Sequence, residues 1–433
     1  MRFLASLSLV ASLCAGAVAA QGFTTLKGHG GPVMGLATAP SGQVASVSFD
    51  NSAALWQDRQ PLWLEGHNAA VTAVAFAGAG RLVTGSDDFT VRLWEPDGGV
   101  RLLGTHRGKV RGLAISPDGR SVASASWDGS VGIWPLVGGA GRSLKVGSGV
   151  NDVAFGPEGS LFAATMDGGV LRFDAEPGTA PRPLVQQGFG VNRLIVDARA
   201  GWLAYGAVDG ATRIIDMESG APIADFTLDR RPILAMAYHA STRQLAVGDG
   251  HGYIMMIDTG SDGNGWRIAR DFRATRQGPV WALAFSPDGN TIWAGGLDDV
   301  VYGWPVALMN EFDPAMGQER TFLRPADSMP NGERQFMRKC SICHALTGGE
   351  SRKAGPSLHG LFGRRAGTLP GYRYSPVLQG SDIIWNDDTI DALFDLGPDH
   401  YIPGSKMPMQ RITTAEDRKD LVGFLKHATQ PEK

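Results

Sequence analysis

The chain has 433 residues, more than one ordinary hydrophobic core organises, so two or more domains are expected. Its 59 glycines, 25 prolines and 11 tryptophans favour many short strands and tight turns over a helical bundle or a disordered chain. Residues 331–433 hold 14 basic against 12 acidic side chains and residues 21–330 hold 25 against 31, so neither half has the basic excess of a nucleic-acid binder.

Residues 1–20, MRFLASLSLVASLCAGAVAA, combine a basic start, a short apolar run and a small-residue end, the pattern of an export signal. The run is too short to cross a bilayer, so the mature chain is expected to have no membrane span and to reside in the periplasm. Cleavage is expected after Ala19 or Ala20, and the bulk of Leu13 argues against lipid attachment at Cys14. Removal of the signal leaves Cys340 and Cys343 as the remaining cysteines, which excludes a disulfide framework.

From residue 21 to residue 306 the sequence repeats. An acidic turn lies six residues ahead of an apolar or aromatic position at Asp50/Trp56, Asp88/Trp94, Asp128/Trp134, Asp167/Phe173, Asp209/Ile215 and Asp298/Trp304, with His251/Ile257 as a diverged member. The steps are 38, 40, 39, 42, 42 and 47 residues. Each unit alternates strand-like runs around turns such as Ser116-Pro117-Asp118-Gly119, and a period near ~40 with several strands per unit predicts a β-propeller.

With Gly28-His29, Gly66-His67 and His106 ahead of the first three units, this segment resembles the WD-repeat family. The resemblance implies hydrogen-bonded sets of His29, Ser48, Asp50 and Trp56; of His67, Ser86, Asp88 and Trp94; and of His106, Ser126, Asp128 and Trp134. The later units depart from it, with Phe173, Ile215 and Ile257 in place of Trp and His251 in place of Asp. Seven blades are expected, with residues 22–27 supplying an extra strand that closes the last one. The recurring histidines read as structural, and Asp87-Asp88 and Asp298-Asp299 as solvated turns.

Residues 307–330, with prolines at 314, 325 and 330, read as a linker. Then comes Cys340-Ser341-Ile342-Cys343-His344, the C-x-x-C-H spacing in which two thiols on one turn attach haem and the next imidazole reaches the iron. Zinc or a redox dithiol is the alternative for two such cysteines, and the absence of a second cysteine pair speaks against zinc.

Together with "AGPSLHGLFGRRAG" from Ala354, "IIWNDDTI" from Ile383 and "YIPGSKMPM" from Tyr401, the motif makes residues 331–433 resemble class I, mitochondrial-type cytochrome c. The fold expected is therefore multidomain: an all-β seven-bladed propeller followed by a small all-α cytochrome c domain. The resemblance implies one covalent haem c with His344 and Met407 as its iron (metal) ligands, Met409 being the rival. It further implies Pro356 against His344, Arg364, Tyr374 and Trp385 toward a haem propionate, and Ser405 where a Thr is common. A helix carrying Gly332 and Phe336 is expected to cross a last helix that is capped near Thr414 and buries Leu421 and Phe424. Phe394 and Leu378 replace polar residues of the family, which implies a more apolar pocket.

The function expected is one-electron transfer in the periplasm, electron carrier rather than catalyst, with the propeller as scaffold for a redox protein or enzyme. Two alternatives stand beside it. One is a redox enzyme whose propeller binds a second cofactor or substrate, with His239 and His251 the first residues to consider. The other is an adaptor that senses haem redox state.

Overall fold

The computed structural model of the chain describes residues 23–430 apart from 79, 176–179, 230, 231, 261–264, 276, 277, 310–327 and 350. The expected export signal and most of the expected linker therefore lie outside the described residues.

Seven four-stranded antiparallel sheets are arranged as blades. The first comprises β2 (Val33–Thr38), β3 (Val44–Ser48), β4 (Ser52–Gln57) and β5 (Gln60–Glu65), paired in chain order. Five more follow the same order: β6–β9 (71–105), β10–β13 (110–145), β14–β17 (150–186), β18–β21 (191–225) and β22–β25 (233–273). The seventh is β26 (Val280–Phe285), β27 (Thr291–Gly296) and β28 (Val300–Pro305), completed by β1 (Thr24–Lys27). β1 runs antiparallel to β28 from Thr24↔Gly303 to Lys27↔Val300, so the expected closing strand is present and caps an otherwise open sheet edge.

Burial rises toward the middle of each blade. β3, β7 and β15 are buried at every residue, whereas β5 and β9 alternate between exposed and half-buried. The apolar faces interlock between neighbours: Val83, Val91 and Leu93 of the second blade share one cluster with Val110 and Val122 of the third. At about 1.5–3 kcal/mol for each large side chain removed from water, these inter-blade layers are the main stabilising term of the propeller.

The repeat's polar network is built two residues away from where the family resemblance put it. His29 Nε2 and Trp56 Nε1 meet on Ser46 Oγ at 2.7 and 2.8 Å, not on Ser48, whose hydroxyl donates to the Gly31 carbonyl. The second and third blades repeat this with Thr84 and Ser124 in place of the expected Ser86 and Ser126. Both hydroxyl positions of each pair, Ser46/Ser48, Thr84/Ser86 and Ser124/Ser126, face the same side of their strand, and the one nearer the strand centre lies under the indole. The turn aspartates behave as expected: Asp50 accepts from His29 Nδ1 at 2.9 Å, Gly30 N at 2.8 Å and Ser52 N at 2.9 Å.

By register, Ala163, Tyr205, Val247 and Ala294 occupy the Ser46 position in blades four to seven. In the sixth, Asp249 takes over the turn, accepting from His251 N at 2.8 Å and Tyr253 N at 3.0 Å, which is why a histidine is tolerated at 251.

The C-terminal domain has its own core of Phe336, Leu361, Ile390, Leu393, Phe394, Leu421 and Leu425. Its helices are α1 (Asn331–Lys339), α2 (Pro376–Gln379), α3 (Asp387–Leu396), α4 (Pro398–Tyr401) and α5 (Ala415–Ala428). α1 crosses α5 at Gly332, where a Cβ would lie 2.1 Å from the Asp420 carbonyl oxygen, so the expected close crossing requires glycine. Phe336 and Phe424 stack at 5.6 Å, with Leu421 fully buried and Phe424 half-buried. Thr414 is the N-cap of α5, but its side chain makes no capping bond, contrary to expectation; α3 instead has a full capping box between Asn386 and Thr389.

Candidate functional site

α1 ends at Cys340, and the turn that follows sets Cys343 N and His344 N on the Cys340 carbonyl at 3.0 and 2.9 Å. One turn therefore presents two thiols and an imidazole together. His344 Nδ1 lies 2.8 Å from the Pro356 carbonyl oxygen. A carbonyl can only accept, so Nδ1 carries the proton and Nε2 keeps its lone pair for a metal. Burial also pushes the His344 pKa down, favouring the neutral ring that coordinates. A Cβ on Gly355 would lie 2.5 Å from His344 Cε1, so glycine is needed for the chain to pass the ring.

Cys340, Cys343 and His344 face a cavity of about 510 Å³ that Met407, Pro356, Arg364, Tyr374, Trp385 and Ser405 also line. All nine residues expected at the site thus converge on one space. Met409 does not line it: half exposed, it packs its Sδ toward Gly397. Leu361, Leu378, Ile390, Leu393 and Phe394 make the wall largely apolar, and Leu378 and Phe394 stand where the resemblance led one to expect polar groups.

The chemistry of the lining fits a haem. Both cysteines are free, and burial raises both thiols, that of Cys340 to about 12. Among the described residues no group of three or more His, Cys, Asp or Glu side chains could hold a metal by itself. Arg364 donates to the carbonyls of His359 at 2.8 Å and Ser357 at 2.9 Å and has no carboxylate partner among the described residues. A cation held at an apolar wall without a counter-ion suits a propionate. The Ser375 hydroxyl, also in the lining, is buried and unpartnered.

Sequence reasoning missed Ser375, and it missed Tyr372, whose hydroxyl donates to the Ala354 carbonyl at 2.7 Å while its ring meets that of Tyr374 at 4.7 Å. Both lie in the stretch after Gly371, where no spacing rule singles them out.

A larger omission is the propeller itself. Phe49, Asn51, Asn68, Asp87 and Lys109, from turns at one face of blades one to three, line the same cavity. The two domains are joined beside it by Arg352, whose guanidinium lies 3.7 Å over the Trp63 ring and donates to Glu65 Oε1 at 2.6 Å. The Arg352 backbone packs so closely on Gly30 that a Cβ there would come within 2.3 Å of the Arg352 carbonyl carbon. His239 and His251, the residues considered for a second cofactor, lie elsewhere: both His239 nitrogens are bonded, to Thr242 Oγ1 and the Pro287 carbonyl, and His251 is exposed.

Comparison with known proteins agrees with this division. The family model for cytochrome c matches residues 330–429, and that for the WD domain, G-beta repeat, matches residues 21–57, 60–95, 100–135 and 267–304. The C-terminal domain is 42% identical over 106 residues to a cytochrome c of Sesamum indicum, covering 24% of this chain and 94% of the relative. It is 41% identical over 99 residues to those of Arabidopsis thaliana and Cochliobolus lunatus, covering 23% of this chain and 88% and 91% of those relatives.

Proposed function

The chain belongs, through residues 330–429, to the cytochrome c family, and from that premise we propose that it is an exported one-electron carrier with a single covalent haem c. The observation that carries this reading is the cavity in which Cys340, Cys343, His344 and Met407 meet beside Arg364, a cation with no carboxylate partner among the described residues. When bound, the haem supplies reversible one-electron chemistry at its iron. The rest is the work of the chain's own residues. Cys340 and Cys343 would hold the haem as thioethers to its two vinyl groups, each thiol S–H adding across one double bond. His344 is fixed by Pro356 to offer Nε2, and Met407 offers a neutral thioether, a pair that favours the reduced metal. Arg364 offsets propionate charge, and the apolar wall excludes water.

The propeller is a docking scaffold, and the first domain docked on it is the chain's own cytochrome. Its turns cover one side of the cavity, so a periplasmic redox protein or enzyme exchanges electrons across or beside blades one to three.

The test is the optical spectrum and cofactor content of the exported, haem-matured protein, with a Met407→Ala variant. One c-type haem per chain, and a far-red methionine–iron band lost in the variant, are the expected result. A second chromophore or metal in the propeller would move the reading to a redox enzyme, and a mature N-terminus still carrying residues 1–20 would overturn export.

A further inference from the structure

The axis of the propeller holds a second cavity, of about 170 Å³, that no part of the electron-transfer reading uses. Each innermost strand shifts register at its second residue, as at Val110/Gly112, Val150/Asp152 and Val191/Arg193, which leaves Arg111 outside the ladder and pairs Asp152 with Ala164 and Arg193 with Gly206. Arg111 of the third blade, Asp152 of the fourth and Arg193 of the fifth line this cavity together with Thr72, Met34 and Trp281.

The charges there do not cancel. Asp152 has both oxygens occupied by backbone N–H groups, those of Val153 and Leu194 at 3.0 Å each, and burial raises its pKa against the opposing charge of Arg193, so one carboxylate faces two guanidinium groups. Arg193 spends Nε on the Leu234 carbonyl at 2.8 Å, and its two terminal nitrogens have no bond among the described residues. Arg111 donates no hydrogen bond among them. Its nearest acid is Asp87, whose Oδ1 is 4.0 Å from Arg111 Nη1 and whose Oδ2 is held by Lys109 at 2.7 Å. The charge of Arg193 and burial together lower the proton affinity of Arg111, so the two guanidinium groups sense each other.

Two forked donors with unspent N–H groups facing one small cavity form the arrangement that binds an oxyanion. We propose that the propeller axis is a binding site for one small oxyanion, a phosphate or a short carboxylate, held between Arg111 and Arg193. An anion there relieves the guanidinium repulsion and supplies acceptors that the protein does not provide.

The test is calorimetric titration of the full-length, haem-loaded protein with inorganic phosphate and, separately, with succinate, against chloride at equal ionic strength. Arg111 donates no hydrogen bond among the described residues and keeps only a 4.0 Å contact with Asp87 and a 5.0 Å stack over Trp127, so Arg111→Gln is expected to retain the fold; Arg193→Lys keeps the charge but loses the fork, with thermal unfolding as the check on both. Saturable one-to-one binding of either anion is expected, weakened about tenfold or more in each variant, the equivalent of one charge-assisted hydrogen bond. Which anion binds distinguishes a mineral from an organic ligand. Failure of both to saturate, or equal binding by either variant, overturns the proposal, and neither outcome bears on the haem.

Discussion

Blades one to three and blades four to seven adopt the same sheet with different polar interiors. In the first three, a histidine, a hydroxyl, an aspartate and an indole satisfy one another beneath the turn. In the fourth to sixth, the small hydroxyl residue and the indole are gone together: Ala163 accompanies Phe173, and Tyr205 and Val247 accompany Ile215 and Ile257. The paired loss leaves no indole at the repeat position to go without its acceptor. What all seven share is the strand ladder and the apolar seam to the next blade, so the network stiffens a turn and the seam builds the propeller.

The strongest way to break this contrast is Asp50→Ala. It strands His29, Gly30 N and Ser52 N in a buried site and should lower unfolding free energy by about 2–4 kcal/mol in denaturant titrations. Asp209→Ala removes a single bond, from Ala211 N, and should lower it by only about 0.5–1 kcal/mol. Equal losses would show that the networks contribute nothing of their own.

Acid titration sharpens the same contrast. Burial depresses the His106 pKa below its ordinary 6.5, so its folded site favours the neutral ring; that stability is present above pH 6.5 and fades as pH falls through the lower folded value. Asp50, Asp88 and Asp128 are all lowered by their histidine and hydroxyl partners, against the opposing effect of burial. Their contribution is present above the ordinary 3.8 and is lost as pH falls below it. Thermal unfolding followed from pH 8 to pH 3 should therefore fall in two stages, and protection measured by amide exchange should drop first in the third blade.

The smallest effect is a gain. Trp304 keeps its indole although Ala294 stands at the Ser46 position, and its Nε1 is buried without a partner among the described residues. Ala294→Ser should restore an acceptor and raise stability by about 0.5–1 kcal/mol.

The period of the repeat, the closing strand and the gathering of residues from Cys340 to Met407 around one cavity were legible, because each is written in local spacing or in a motif. The hydroxyl partners were not. Ser46 and Ser48 share strand parity, and only the packing of Trp56 selects between them. Asp249 escaped notice because the repeat rule pointed to His251. The cover that Asn68, Asp87 and Lys109 form over the cavity rests on contact between residues more than two hundred positions apart in the chain, which no periodicity carries.

The pairing of Thr24 with Gly303 makes the propeller a ring fastened at its last stitch. The first strand made has no sheet to join until β28 exists, so the ring stays open through nearly all of its own synthesis, and closing so long a loop is slow. The haem-binding motif follows that stitch by fewer than forty residues. Assembly is thereby ordered in time: the seat that Gly30 and Trp63 offer the cytochrome is finished just as the domain that occupies it emerges.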